Sequence, residues 1–407
     1  MTIWFDQLQR SYIDLTMDRP RLNKNTFMVI SLTFASLLGF PVVAPALPAV
    51  RDALNISTEN IGWVMAAYSA PGIIFIPLVG LIADRIGKKQ VLLPSLFLFA
   101  FSGAACIFAT KQETLFFLRF LQGIGASALS TINVSMAADF FKGRERIKIM
   151  GYIGATQNIG SGLLPMVGGA LAAIMWFYPF ATSLLALPVG TYMIFKMDKL
   201  QPNSNVIKSD TLGFLKHAWS KLNNRIVIEL VFMTGGFIFI GFGAFITYLP
   251  LFLNDTFNSP AIVIGIILGS RAIMGVLVAS QLSGLALYFS YRTLICFAFL
   301  ILALGLAIIP FVRNQWMLVF TAMCYGGSFG ILRPSLQYLL LDYAPEDLRS
   351  TFASAINFGL RVSQTISPVF AGLLMIFSSY KQLYILAATL ALLMALYALT
   401  AVSLRKI

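Results

Sequence analysis

Charge is what this sequence has least of. Of its 407 residues 11% are charged, against 58% apolar and 13% aromatic, and the mean hydropathy is +0.83. A soluble protein of that composition would lack the surface charge that keeps it solvated, so soluble readings are excluded. Histidine occurs once, at His217, which excludes a histidine-based metal site. The three cysteines, Cys106, Cys296 and Cys324, fall inside apolar runs without ligand-like spacing; they read as core thiols, not as disulfide or metal ligands. There is no phosphate-binding loop, no His pair and no nucleophile–base set. ATP-driven transport and membrane catalysis are therefore not expected, and no cofactor is implied.

What the sequence does contain is long apolar runs, and about 20 such residues span a bilayer core as a helix. Twelve spans can be placed, at roughly 26–50, 59–83, 91–110, 114–139, 146–173, 177–196, 226–253, 260–286, 293–312, 316–341, 350–378 and 381–403. The first run begins near Thr26 without a small-residue cleavage site before a soluble domain, so it reads as a retained helix. The formal net charge of +13 is unevenly spread. Twenty-one Lys and Arg lie before the first span, in the even-numbered connections and after the last span, whereas the opposite loops hold only Arg51, Lys111, Arg313 and Lys381. That asymmetry predicts cytoplasmic termini, and it directs the basic surface to anionic lipid headgroups and not to nucleic acid. Compact loops suit a bacterial inner membrane.

The expected organisation is a cytoplasmic segment 1–25, a six-helix bundle 26–196, a cytoplasmic linker 197–225, a second bundle 226–403 and a tail 404–407. In the linker Leu212, Leu215, Trp219 and Leu222 recur at helical spacing beside Lys208, Lys216 and Lys221, the pattern of a helix lying in the membrane interface; an amphipathic linker without specific function gives the same pattern. Residues 1–20 carry a weaker stripe of Phe5, Leu8, Tyr12 and Leu15. The bundles are related by an offset of 203, which maps Gly123 to Gly326, Asp139 to Asp342, Arg146 to Arg349, Pro165 to Pro368 and Gly169 to Gly372. Duplicated bundles of six helices, with cargo held between them near the midplane, are a standard transporter plan.

Three segments carry chemistry. After the second span, Gly80-Leu81-Ile82-Ala83-Asp84-Arg85-Ile86-Gly87-Lys88-Lys89 places an acid among cations at a membrane edge, with Gly80 suited to helix packing and Gly87 to a tight turn. An acid there can favour a helix N-terminus and pair with arginines, then release both when the bundles rock. The segment closely resembles the G-x-L-a-D-r-x-G-r-k signature of the major facilitator superfamily. In span 4, Arg119, Gln122 and Gly123 to Ala126 resemble that family's R-x-x-q-G-x-g-a motif. Span 5, with Gly151, Gly160, Pro165, Gly168 and Gly169, resembles the antiporter motif of its twelve-span drug:proton antiporters, with Leu164 in place of the usual glycine. The resemblance implies an all-α membrane protein of twelve transmembrane helices in two pseudo-symmetric bundles. It also implies a cytoplasmic latch on Asp84, with Arg85, Lys88, Asp139 and Arg146 around it, and a proton-coupling role for Arg119. The second-half counterpart of the latch loop has Leu287 where the acid would stand, so any latch is asymmetric.

Arg119, Arg271, Arg333 and Arg361 fall within spans, where a guanidinium must face protein or water. No carboxylate lies comparably deep; Glu229, about one turn into span 7, comes nearest and joins Asp84 and Asp139 as a proton carrier. Either the cavity is electropositive and takes an anionic or zwitterionic cargo, or the arginines pair with carbonyls, Gln364, Asn357 and water. Arg119 could alternatively snorkel outward. Aromatic residues on lining helices (Phe34, Phe40, Tyr68, Phe245, Tyr248, Tyr325, Phe329) are candidates for an apolar pocket wall, or plain packing. The expected function is a proton-coupled efflux antiporter of small molecules, a monomer in contact with membrane lipids and not an enzyme. The alternatives are an exporter of an organic anion, polycarboxylate or siderophore, and a non-transporting membrane sensor or lipid-interacting protein, against which the latch and antiporter motifs speak.

Overall fold

The computed structural model describes residues 23–197, 223–345 and 349–401. The expected stripes at 1–20 and 212–222, and the tail, lie outside the described residues. Within them the chain is helical. The first half contains α1 (Lys24–Leu37, resumed at Leu47–Ala53), α2 (Gly62–Ser69 and Pro71–Ile86), α3 (Lys88–Ala105), α4 (Gln112–Phe140), α5 (Gly143–Ile174) and α6 (Tyr178–Ala181, resumed at Ala186–Lys196). The second contains α7 (Arg225–Ile240, a π-helical Gly241–Thr247, then Tyr248–Phe257), α8 (Ala261–Tyr288), α9 (Tyr291–Ile308), α10 (Leu318–Tyr343), α11 (Arg349–Phe377) and α12 (Tyr380–Thr400).

Among the described residues ten helices are long and apolar enough to cross a membrane. Their outer faces are hydrocarbon: Phe108, Phe195, Leu287 and Phe377 are 78–89% exposed. This is a multi-pass membrane protein. The other two expected spans, α1 and α5, are present as helices but differ from the rest. In α1 the prolines at 41, 45 and 48 deny backbone donors and crowd the preceding turn, so the helix breaks after Leu37 and resumes at Leu47. In α5 a run of glycines with Gln157, Asn158 and Ser161 dilutes the hydropathy.

The 203-residue register reappears in space. Gly62 of α2 meets the Pro368 carbonyl of α11, and Gly265 of α8 meets the Pro165 carbonyl of α5; 62 and 265, like 165 and 368, are partners at that offset. Gly169 likewise meets Ala261 O and Gly372 meets Glu59 O, each across the seam between halves. At all four a side chain would overlap backbone, so only glycine permits the approach. These contacts cluster at one end. There a single apolar core fills the second half and continues into the first through Val43, Leu47, Ile61, Met65 and Phe180.

Towards the other end, which carries Lys88, Lys89 and Arg146, the first half keeps a separate core built on Leu92, Phe99, Leu129 and Met193. The fully buried residues of α8 are confined to Ile264–Ser270 and stop before Arg271. A side chain added at Gly80, Gly151, Gly154 or Gly284 would meet no atom within 4 Å. The halves are thus joined at one end and parted at the basic end. Gly265→Val is expected to cost about 1–3 kcal/mol by overpacking, read as a lower melting temperature in detergent, whereas Gly151→Val leaves that temperature unchanged.

Candidate functional site

The joined end is locked by polar contacts that the sequence reading did not contain. Arg51, at the end of α1, grips Asp255 at the end of α7 through two nitrogens, Nη1 to Oδ2 at 2.9 Å and Nη2 to Oδ1 at 2.8 Å. The paired geometry is the strong form of this interaction, and the Asp255 hydrogen bond holds the guanidinium more firmly protonated than usual. Tyr380 of α12 donates its hydroxyl to the same carboxylate at 2.6 Å. Two turns deeper on α7, the Tyr248 hydroxyl donates to Thr58 O at 3.0 Å. Ser69 Oγ donates to Gln364 O at 3.3 Å, and Phe40 stacks on Phe242 with ring centroids 4.4 Å apart. Apart from the Tyr380 bond, which braces Asp255 from within the second half, each of these joins the halves. Tyr248 is fully buried, so it belongs to this seal; its expected place on a cavity wall is corrected, because the π-helical turn before it directs the ring into the seam.

At the basic end the signature loop knits the first half together. Gly87 turns with φ +102°, a left-handed value that favours glycine. Lys88 pairs with Asp139 at the end of α4. Lys89 donates to Ile194 O at 2.8 Å and Met197 O at 2.7 Å, closing carbonyls that the end of α6 leaves open. Arg146 and Arg85 are exposed. The side chains of Asp84 and Arg349 lie outside the described residues. The loop cations whose partners are described therefore bind within their own half.

The four deep arginines separate into two kinds. Arg119 is fully buried inside the first bundle. Its Nε donates to Val64 O at 3.2 Å, its Nη1 donates to Gln122 Oε1 at 2.6 Å, and its guanidinium lies 4.3 Å from the Tyr68 ring. It neither snorkels outward nor opens on the cleft, and Gln122, 1% exposed, is its partner; Tyr68 covers Arg119 and Gln122 lies against Gly103, so these two candidates for the cavity are both enclosed. Arg271, Arg333 and Arg361 keep partial exposure. Arg271 lies 5.8 Å from the Tyr325 ring and Arg333 lies 5.4 Å from the Phe329 ring. Tyr325 itself is buried, stacked on Phe245 at 4.5 Å; it backs the arginines and does not line a pocket, a second correction. Arg361 reaches Gln364 at 3.4 Å, and its stem rests on Gly72 of the first half. Among the described residues no carboxylate pairs with any of the four.

Glu229 is turned away from this cluster. It accepts from Arg225 Nε at 2.9 Å, one turn back on α7, and lies on the side facing Tyr397 of α12, which packs edge-on against Phe232 at 5.5 Å. The residue is 4% exposed. In the antiporter stretch Gly160 packs on Leu37 of α1, Gly168 on the Val42 carbonyl, and Pro165 and Gly169 on α8, while Gly151 faces open space. Removing one charge from the seal, in Asp255→Asn, is expected to weaken closure by about 1 kcal/mol. In a Thr58→Cys background that appears as a roughly fivefold faster reaction with a membrane-impermeant maleimide.

Comparison with known proteins agrees with this architecture. The sequence matches the Major Facilitator Superfamily over residues 29–367 and 285–406. It is 27% identical over 367 residues to the quinolone resistance protein NorA of Staphylococcus aureus (strain COL), covering 87% of this chain and 90% of that protein. It is 33% identical over 164 residues to the bacillibactin exporter of Bacillus subtilis (strain 168), covering 39% and 41%. In structure it is similar to the nucleoside transporter NupG, with a TM-score of 0.75 at 13% identity over 92% of this chain and all of that one. The paired bundles, their glycine seams and these matches lead to one assignment: the chain belongs to the major facilitator superfamily of transporters.

Proposed function

We propose that the protein is a secondary active exporter of small molecules that works by alternating access and is driven by protons. The observation that carries this reading is the asymmetry between the two ends, sealed by Arg51, Asp255 and Tyr248 at one and parted around Gly80, Gly151 and Gly284 at the other. The excess of Lys and Arg at the parted end orients it to the cytoplasm of a bacterial inner membrane, with both termini on that side. In this orientation the state is loading-competent for export. The linker 197–225 joins the two bundles on the cytoplasmic face, and the protein acts as a monomer surrounded by lipid.

Resemblance to NorA and to the bacillibactin exporter supports outward transport. Asp84 is the latch acid that closes the parted end, and Asp84, Asp139 and Glu229 are the groups through which protons couple. Everted membrane vesicles energised with NADH are expected to accumulate a fluorescent quinolone or an organic acid. A protonophore abolishes the uptake, and Asp84→Asn lowers it at least tenfold. Undiminished turnover in Asp84→Asn, or uptake indifferent to the protonophore, would refute the reading.

A further inference from the structure

The three arginines that keep their exposure are the feature the fold alone does not explain. Arg333 lies ten residues from the basic end of α10 and Arg361 twelve residues from that end of α11, so each sits about 15–18 Å deep along its helix. The two helices pack against each other, so the arginines stand at similar depth on neighbouring elements. Among the described residues neither has a carboxylate partner, and the one polar side-chain contact of either fork is a long one, Arg361 to Gln364 at 3.4 Å. Arg271 lies beyond them towards the seal, its Nε buried and without a hydrogen-bond partner.

Arg119 shows what an enclosed arginine looks like in this protein. It is packed to zero exposure, bonded to a carbonyl and an amide oxygen and covered by a ring, with Nη2 alone left without a partner. Arg333 and Arg361 are built otherwise. Phe329 lies against the Arg333 guanidinium and the Phe245–Tyr325 stack against that of Arg271, and both side chains keep exposure beyond the rings. The stem of Arg361 lies against Gly72 of the opposite half, so a ligand on this pair stands at the seam the transport cycle must open and close. Two unneutralised guanidiniums between hydrocarbon walls are costly to keep, and an anion with two charges removes the cost for both.

We propose that Arg333 and Arg361 form the cargo site for a compact dianionic group, a dicarboxylate or a phosphate ester, with Arg271 and Gln364 completing the donor set. The inference rests on the transporter reading and names its substrate class. It also accounts for the lack of a deep carboxylate: an anionic cargo brings its own negative charge, and an acid beside it would only repel.

The test is binding to the purified full-length protein in nanodiscs, read by thermal shift, and it needs no transport. Succinate and inorganic phosphate are the dianionic probes, acetate the monoanion and ethidium the cation. A saturable stabilisation is expected with at least one dianion, at least tenfold tighter than with acetate. Preference for succinate assigns a dicarboxylate cargo; preference for phosphate assigns a phosphate ester. The double variant Arg333→Gln/Arg361→Gln should weaken the binding at least 100-fold. Arg333→Lys/Arg361→Lys, which keeps charge and loses the fork, should weaken it about tenfold and serves if the double glutamine variant does not fold. Lys111→Gln/Arg313→Gln, an equal charge change on exposed loops at the sealed end, should leave it unchanged. No dianion binding, equal binding by the lysine variant and the wild type, or saturable ethidium binding that persists when succinate is in excess would overturn the proposal. Dianion binding without vesicle uptake would instead sink the exporter reading and leave the site standing.

Discussion

Within a bilayer, two apolar bundles gain nothing by hiding hydrocarbon from hydrocarbon, so their cohesion must come from close backbone approach and from the few polar bonds that cross between them. Gly62 on Pro368 and Gly265 on Pro165 supply the first, and Arg51 with Asp255 the second. All of them lie towards one end. The remaining features of the molecule follow from that placement: the continuous core at the sealed end, the separate core of the first half elsewhere, and the partial exposure of arginines that would otherwise be enclosed.

Duplication produced the pairing of helices but not the pairing of charges. At an offset of 203, Tyr68 corresponds to Arg271 and Gln122 to Tyr325. Each half places a guanidinium over a tyrosine ring between equivalent helices, with the roles exchanged: the cation is on α4 in the first half and on α8 in the second. Gly123 against the Tyr68 carbonyl and Gly326 against the Arg271 carbonyl hold the two versions in matching geometry. The first half encloses its cation, and the second carries two more that keep their exposure. A symmetric scaffold thus carries an asymmetric electrostatic interior.

The spans, the halves and the family were legible because hydropathy and spacing are local properties, and Pro165, Gly169 and the signature loop stand at fixed intervals. The direction each side chain takes was not. Tyr248, Tyr325 and Phe329 all lie on cavity-lining helices, yet Tyr248 and Tyr325 are buried, since a helix turns each successive residue by 100° and packing decides which face is inside. Arg51 and Asp255 were visible only as lone charges near outer ends. Their pairing spans 204 positions, and no local pattern encodes it. The Lys89 contacts to the end of α6 were hidden for the same reason, although a lysine beside a helix terminus is a usual way to satisfy its carbonyls.

The widened turn of α7 at Gly241–Thr247 has a mechanical meaning. Relative to an ordinary α-helix it inserts one residue, which advances the angular phase of everything after it by about 100°. Tyr248 and Asp255 both follow it, and both face the opposite bundle. Rewinding that stretch to regular pitch would swing the two together off the seam. A single backbone dislocation therefore acts as a detent for the lock.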